Sequence, residues 1–167
     1  MTKLALILLS LAVLLLCGFR WGISPNTVKN NQRMVDFKNI RLPTTPNFYI
    51  MCPASYCPKS AHAVVSPEFN VSVAALQVRW NNMIKKQART TLLTSEDTNL
   101  QRLYVQLTAL WHFPDFIDVR FISLDENRAT LAIYSHSYFG HSDFGVNKKR
   151  VVQWIEELRP EVDVLSK

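Results

Sequence analysis

The chain has 167 residues, room for one domain and not for several. Its apolar share of 48% predicts a real core and excludes a chain that stays unfolded. The formal net charge of +6 favours anionic partners such as phospholipid head groups, acidic glycans or nucleic acid, although a merely solvated basic surface has the same charge.

The first 23 residues read as an export signal or membrane anchor. Thr2-Lys3 precedes an unbroken apolar run, LALILLSLAVLLLCGF, from Leu4 to Phe19. No A-x-A-like cleavage site follows it. Extension through Trp21 and Ile23 reaches the length a bilayer crossing needs, with Arg20 able to snorkel. An uncleaved anchor is the first reading. A lipoprotein modified at Cys17 in LLLC is the second, and a cleaved leader the third. The expected address is a membrane-anchored domain of a cell envelope, on the exported side. That address argues against nucleic acid as the partner and leaves anionic lipid, glycan or an envelope protein.

Residues 24–71 hold six of the eight prolines and show no sustained periodicity, which predicts a linker and an irregular arm. Within it, Cys52 and Cys57 flank a proline-containing loop. In an oxidising compartment they can close as a disulfide; two free thiols are the alternative. Only His62 lies near as a further ligand, so no metal and no cofactor are expected.

From Ser72 the texture changes. Val73, Leu76, Trp80 and Met83 share one helical face, and Ser72 suits the N-cap. Strand-like runs follow at 88–95, 100–110, 116–124 and 129–138, with Asp125–Arg128 as a hairpin turn. Val151, Trp154, Ile155 and Leu158 mark a last helix that stops before Pro160. The order α-β-β-β-β-α over residues 72–167 predicts an α+β domain: one antiparallel four-stranded sheet with two helices packed on one face.

Parity along the strands predicts a core face that includes Leu103, Val105, Ile117, Val119, Leu131 and Ile133. The other face collects Arg102, Tyr104, Arg120, Tyr134, His136 and Tyr138. Such a polar, tyrosine-rich surface is a candidate site for a small ligand or lipid; a wet sheet face covered by tyrosines is the alternative.

The stretch SHSYFGHSDFGVNKKRV, residues 135–151, carries the only two glycines after residue 23, Gly140 and Gly145. Positive φ is expected at one of them at least. Ser135 and His136 point to opposite faces of a strand. His141, Ser142 and Asp143 are consecutive, so no nucleophile with an oriented base is apparent and a hydrolase ranks last. Asn147 either caps the last helix or faces inward. Lys148, Lys149 and Arg150 put three cations at a helix N-terminus, against the dipole. An anion would repair that conflict, which makes Ser142, Asp143, Gly145, Asn147, Lys148, Lys149 and Arg150 a candidate anion- or partner-binding group. The alternative is that Asp143, Asp115 or Asp118 already neutralises the cations.

The spacing S-x-S-x-x-G-x-S-D-x-G-V-N-x-x-R, from Ser135 to Arg150, resembles the signature of domain of unknown function fourteen-ninety-nine, found in bacterial envelopes and plastids. Cys52 and Cys57 resemble that family's early C-P-x-S…C segment, one residue shorter, and Phe113–Val119 resembles its Phe…Asp-Asp-Val segment. Tyr134 and Tyr138 stand where the family tends to place arginines, and Lys148 stands for another. The resemblance implies a fold and an envelope address, and no reaction. The expected function is a non-enzymatic, membrane-anchored domain with an anionic or protein partner near SDFGVNKKR.

Overall fold

The computed structural model describes residues 2–22, 33–58, 62–95 and 100–159, with the side chains of 4–15 in the first segment. Its elements are helix α1 (Thr2–Gly22), a 3-10 turn (Phe37–Asn39), β1 (Phe48–Met51), α2 (Val73–Ile84), β2 (Thr90–Ser95), β3 (Gln101–Leu107), β4 (Pro114–Ser123), β5 (Ala129–Ser137) and α3 (Val146–Leu158).

The sheet is antiparallel, in the order β1-β5-β4-β3-β2. It has five strands, not the expected four. The additional strand comes from the proline-rich arm: Phe48–Met51 pairs with His136–Ile133 along the edge of β5. Four residues between prolines are too few to show a period, yet long enough to pair with a strand that already exists.

α2 starts where Ser72 Oγ accepts the Ala75 N–H at 3.3 Å. It buries Leu76, Trp80 and Met83, spaced by four and then three residues. α3 buries Val151, Trp154, Ile155 and Leu158 beside it. Trp80 joins both helices to the sheet, edge-on to Trp154 at 5.8 Å and to Phe121 at 5.9 Å between ring centres. Burying a ring of this size contributes about 2–3 kcal/mol.

The opposite face of the sheet is also covered. Phe37, Ile40, Ile50, Cys52 and Cys57 pack with Ala132 and Tyr134, while Met34 packs near Leu103, Val105 and Phe116. The expectation of one core face and one wet face is therefore corrected: the arm is the second layer. Cys52 and Cys57 are joined as a disulfide within that layer, and both are buried.

Register decides which residues share a face. Tyr104 lies opposite Ile117 and Ser135, and Arg102 opposite Val119 and Ile133. Leu103 lies opposite Asp118 and Tyr134, and Val105 opposite Phe116 and His136. Leu103 and Val105 thus face the arm, while Ile117, Val119, Leu131 and Ile133 face the helices. Both sides of the central strands are apolar because both are covered.

Among the residues whose side chains are described, which in α1 are 4–15, no helix is long and apolar enough to cross a membrane. The side chains of Cys17 and Trp21, and all of residues 23–32, lie outside the described residues, as does Pro160.

Candidate functional site

The signature residues meet where β5 ends and α3 begins. Gly140 and Gly145 have φ of 89° and 78°, both in the left-handed region. Between them, Ser142 Oγ accepts the Phe144 N–H at 3.2 Å. Asp143 caps α3: its Oδ1 accepts from Gly145 N–H at 3.0 Å and its Oδ2 from Asn147 N–H at 2.8 Å. A carboxylate is well placed there, at free N–H groups and the positive end of the helix dipole.

Asn147 does not cap the helix. It is fully buried and points inward. Its Nδ2 donates to the Asn47 carbonyl and to Ser137 Oγ, both at 3.1 Å. Its Oδ1 accepts from Ser135 Oγ and from Arg150 Nη1, both at 2.6 Å. Asn47 in turn donates to the Gly140 carbonyl at 2.8 Å. One side chain therefore ties β5, α3 and the arm together.

Arg150 is not an exposed cation. Its Nη2 pairs with Asp115 Oδ2 at 2.5 Å, its Nε donates to Gln106 Oε1 at 2.6 Å, and its Nη1 also reaches Ser135 Oγ at 2.9 Å. The guanidinium fork is answered on three sides by β3, β4, β5 and α3, which only an arginine achieves. Lys148 and Lys149, by contrast, are exposed. The expected trio of cations splits into two outward lysines and one inward arginine. A run of three charges reads as a solvated face. The helical phase was the missed signal, since Arg150 follows Asn147 by three and precedes Trp154 by four. Gln106 and Asn47 carried no signal of their own.

The expected polar sheet face is not one surface. Arg102 and Tyr104 lie under the helices. Arg102 donates to Asn81 Oδ1 and sits 5.0 Å from the Phe121 ring centre; the Tyr104 hydroxyl accepts from Trp80 Nε1 at 3.0 Å. Arg120, Tyr134 and His136 lie on the arm side. Tyr134 is buried, and burial, then the nearby Asp118 charge, pushes its hydroxyl up to about 12. His136 stacks on Tyr134 at 4.8 Å, and burial holds its imidazole down to about 4 against the pull of Asp115. Tyr138 is half-exposed at the strand end, edge-on to Phe116 and Phe139. Register separates what parity within each strand had grouped.

A cleft of about 440 Å³ opens beside the joint, between the β3–β4 loop and the β5–α3 loop. Phe113, Phe139, Phe144 and Val146 form its apolar walls, and Asp115, Ser137 and Asp143 line its polar part. Phe113 and Phe139 touch at 5.8 Å, and Tyr138 N–H donates to the Pro114 carbonyl at 3.0 Å, so the two loops are fixed to each other. Phe144 is 96% exposed although its φ of 52° lies in the left-handed region. Among the described residues there is no group of three metal-ligating side chains.

The fold and the joint define a class: an antiparallel α+β domain in which a largely buried Ser-Ser-Asn-Arg-Asp network locks the last strand to the last helix. A family model described as protein of unknown function (DUF1499) matches residues 22–158, and the chain belongs to that family. Among curated proteins, none matches the chain.

Proposed function

We propose that this chain is a membrane-anchored, non-enzymatic envelope domain. Its partner carries an apolar group and an anionic group, and is received at the cleft beside the SDFGVNKKR motif. The cleft itself carries the reading: apolar walls above fixed polar groups are the usual make-up of a ligand site. Lys148 and Lys149 do not line the cleft, whose carboxylates Asp115 and Asp143 are held by Arg150 and by backbone N–H groups; the two lysines are exposed in the first turn of α3, and their charge favours an anionic partner at this end of the domain. The apolar run Leu4–Phe19 supports the anchor, and the described side chains of α1 from Leu4 to Leu15 are exposed apolar or small groups apart from Ser10.

The chemistry of the joint speaks against catalysis. Ser135 is fully buried, and its hydroxyl is held by the amide oxygen of Asn147 and the guanidinium of Arg150. Neither group takes a proton at neutral pH, so the serine has no base. Asp143 is held by two backbone N–H groups and Asp115 by Arg150. These polar atoms are satisfied by one another, which is how a structural network is built.

Calorimetric titration of the full chain in zwitterionic nanodiscs with hexyl phosphate, subtracting empty nanodiscs, tests this. Binding is expected for the wild type and a loss of about tenfold or more for Phe139→Ala/Phe144→Ala, since aromatic walls supply most of the contact. Equal heats for both proteins overturn the cleft as the site.

A further inference from the structure

We propose that the signature end of the domain docks onto an anionic bilayer surface, with Trp111, Phe139 and Phe144 entering the interface and Lys148 and Lys149 facing the head groups. This rests on the binding end assigned above and names its partner. Leu110 is 63% exposed, Trp111 38%, Phe139 46% and Phe144 96%, and all four lie on the two loops that are tied together at this end. Large apolar side chains gathered on one rim mark an interaction surface rather than ordinary exposure. Trp and Phe beside Lys are what a membrane interface takes up, the rings at head-group depth and the ammonium groups at the phosphates.

The turn that carries Phe144 is held by local hydrogen bonds. Ser142 Oγ and Asp143 Oδ1 hold the N–H groups of Phe144 and Gly145, so the ring is presented outward by a fixed backbone. A left-handed φ of 52° suits asparagine or glycine better than phenylalanine, and at 96% exposure the ring contributes almost no packing to the fold. The aromatic group is therefore unexplained by stability. The charge beside it points outward as well. Arg150 is neutralised internally by Asp115, whereas Lys148 and Lys149 are exposed and, among the described residues, form no ion pair. A bilayer is the occupant that the chain itself brings close. The ten residues between Gly22 and Arg33 span at most roughly 35 Å, about one domain diameter, so a domain tethered by α1 meets lipid at high effective concentration.

The test uses the full chain with Cys17→Ser and His141→Cys, labelled at 141 with an environment-sensitive fluorophore. It is reconstituted in phosphatidylcholine vesicles with and without phosphatidylglycerol. A second chain labelled at Leu92→Cys, on β2, serves as reference. The expected result is a blue shift and severalfold lower iodide quenching at 141 in the anionic vesicles. The effect should be reversed by salt, weakened by Phe144→Ala and lost in Lys148→Gln/Lys149→Gln, with no change at 92. Equal quenching at 141 in both vesicles and in detergent overturns the proposal. Protection that grows with protein concentration and ignores lipid charge also overturns it, because a second copy is then the occupant. If hexyl phosphate still binds while docking is absent, only the bilayer assignment falls; if both are absent, the binding end falls with it.

Discussion

Arg150 and Asp115 meet between α3 and β4 with Nη2 and Oδ2 2.5 Å apart, and both side chains are almost wholly out of water. A buried pair of this kind is better at punishing the loss of one partner than at adding stability as a pair. Arg150→Met or Asp115→Leu alone should cost about 3–5 kcal/mol, because each leaves a buried charge without its counterpart. The double replacement should cost clearly less than the sum of the two. Urea unfolding of the four proteins measures the difference, and strict additivity would show that the pair is not coupled.

Asn147→Ala should cost about 2–3 kcal/mol. It takes one of two donors from the Asn47 carbonyl, which keeps the Ser137 N–H, leaves Ser137 Oγ without the Asn147 donor and removes an acceptor from Arg150. Asn147→Asp restores the acceptor but not the donor, and should recover only part of the loss. The effect should appear as faster hydrogen exchange at Phe48–Met51 as well as in α3, since this one amide ties the arm to the helix.

Phe144→Asn should leave the unfolding midpoint unchanged or slightly higher. The replacement tolerates the left-handed backbone, and the exposed ring has little packing to lose. Gly145→Ala, at φ 78° with open space where the Cβ would stand, should cost about 1 kcal/mol from backbone strain alone. A drop for Phe144→Asn larger than that for Gly145→Ala would mean that the ring packs in the folded domain.

The pH dependence should contain two opposing slopes. Burial pushes the Asp118 carboxyl up to about 7, against the lowering effect of the Val35 N–H and Gln101. Between roughly pH 4 and 7 the folded chain therefore holds a proton that the unfolded chain has released, and stability falls as pH rises. His136, held down to about 4, does the reverse. Between about 4 and 6.5 the unfolded chain holds the proton, and stability rises with pH. Each slope approaches about 1.4 kcal/mol per pH unit and they nearly cancel. The wild type should look flat from pH 4.5 to 6.5, Asp118→Asn should rise across that window, and His136→Phe should fall. Three parallel curves would show that neither group is displaced.

The Cys52–Cys57 disulfide should leave no reactive thiol at either position in denatured, unreduced protein. Reducing it should cost about 2 kcal/mol, the chain-entropy value for so short a loop. Labelling of either cysteine without reductant would show that the pair is open.

Much of this architecture was readable because it is periodic. The runs at 88–95, 100–110, 116–124 and 129–138 became β2 to β5, Ser72 capped α2, and both late glycines took positive φ. What stayed hidden is what depends on the partner of each element. Alternation shows that Leu103 and Tyr104 face opposite ways, but not that Tyr104 shares its face with Ile117; that is fixed by pairing across the β3–β4 turn. β1 was invisible because an edge strand of four residues borrows its order from β5. The site was legible as a strand-to-helix joint from its glycines. The inward turn of Arg150 depended on Asp115 and Gln106, which are distant in the chain.

The arm also sets an order of assembly. Val35 closes on Asp118 across a separation of 83 residues, and Asn47 closes on Asn147 across 100. The arm is synthesised before the elements it packs on, β4, β5 and α3. It must wait, without these contacts, through synthesis. Contacts this distant are slow to form, so the last event in folding should be the N-terminal arm sealing the sheet. A chain stalled or truncated before α3 would then display its arm, cysteines included, to chaperones and proteases.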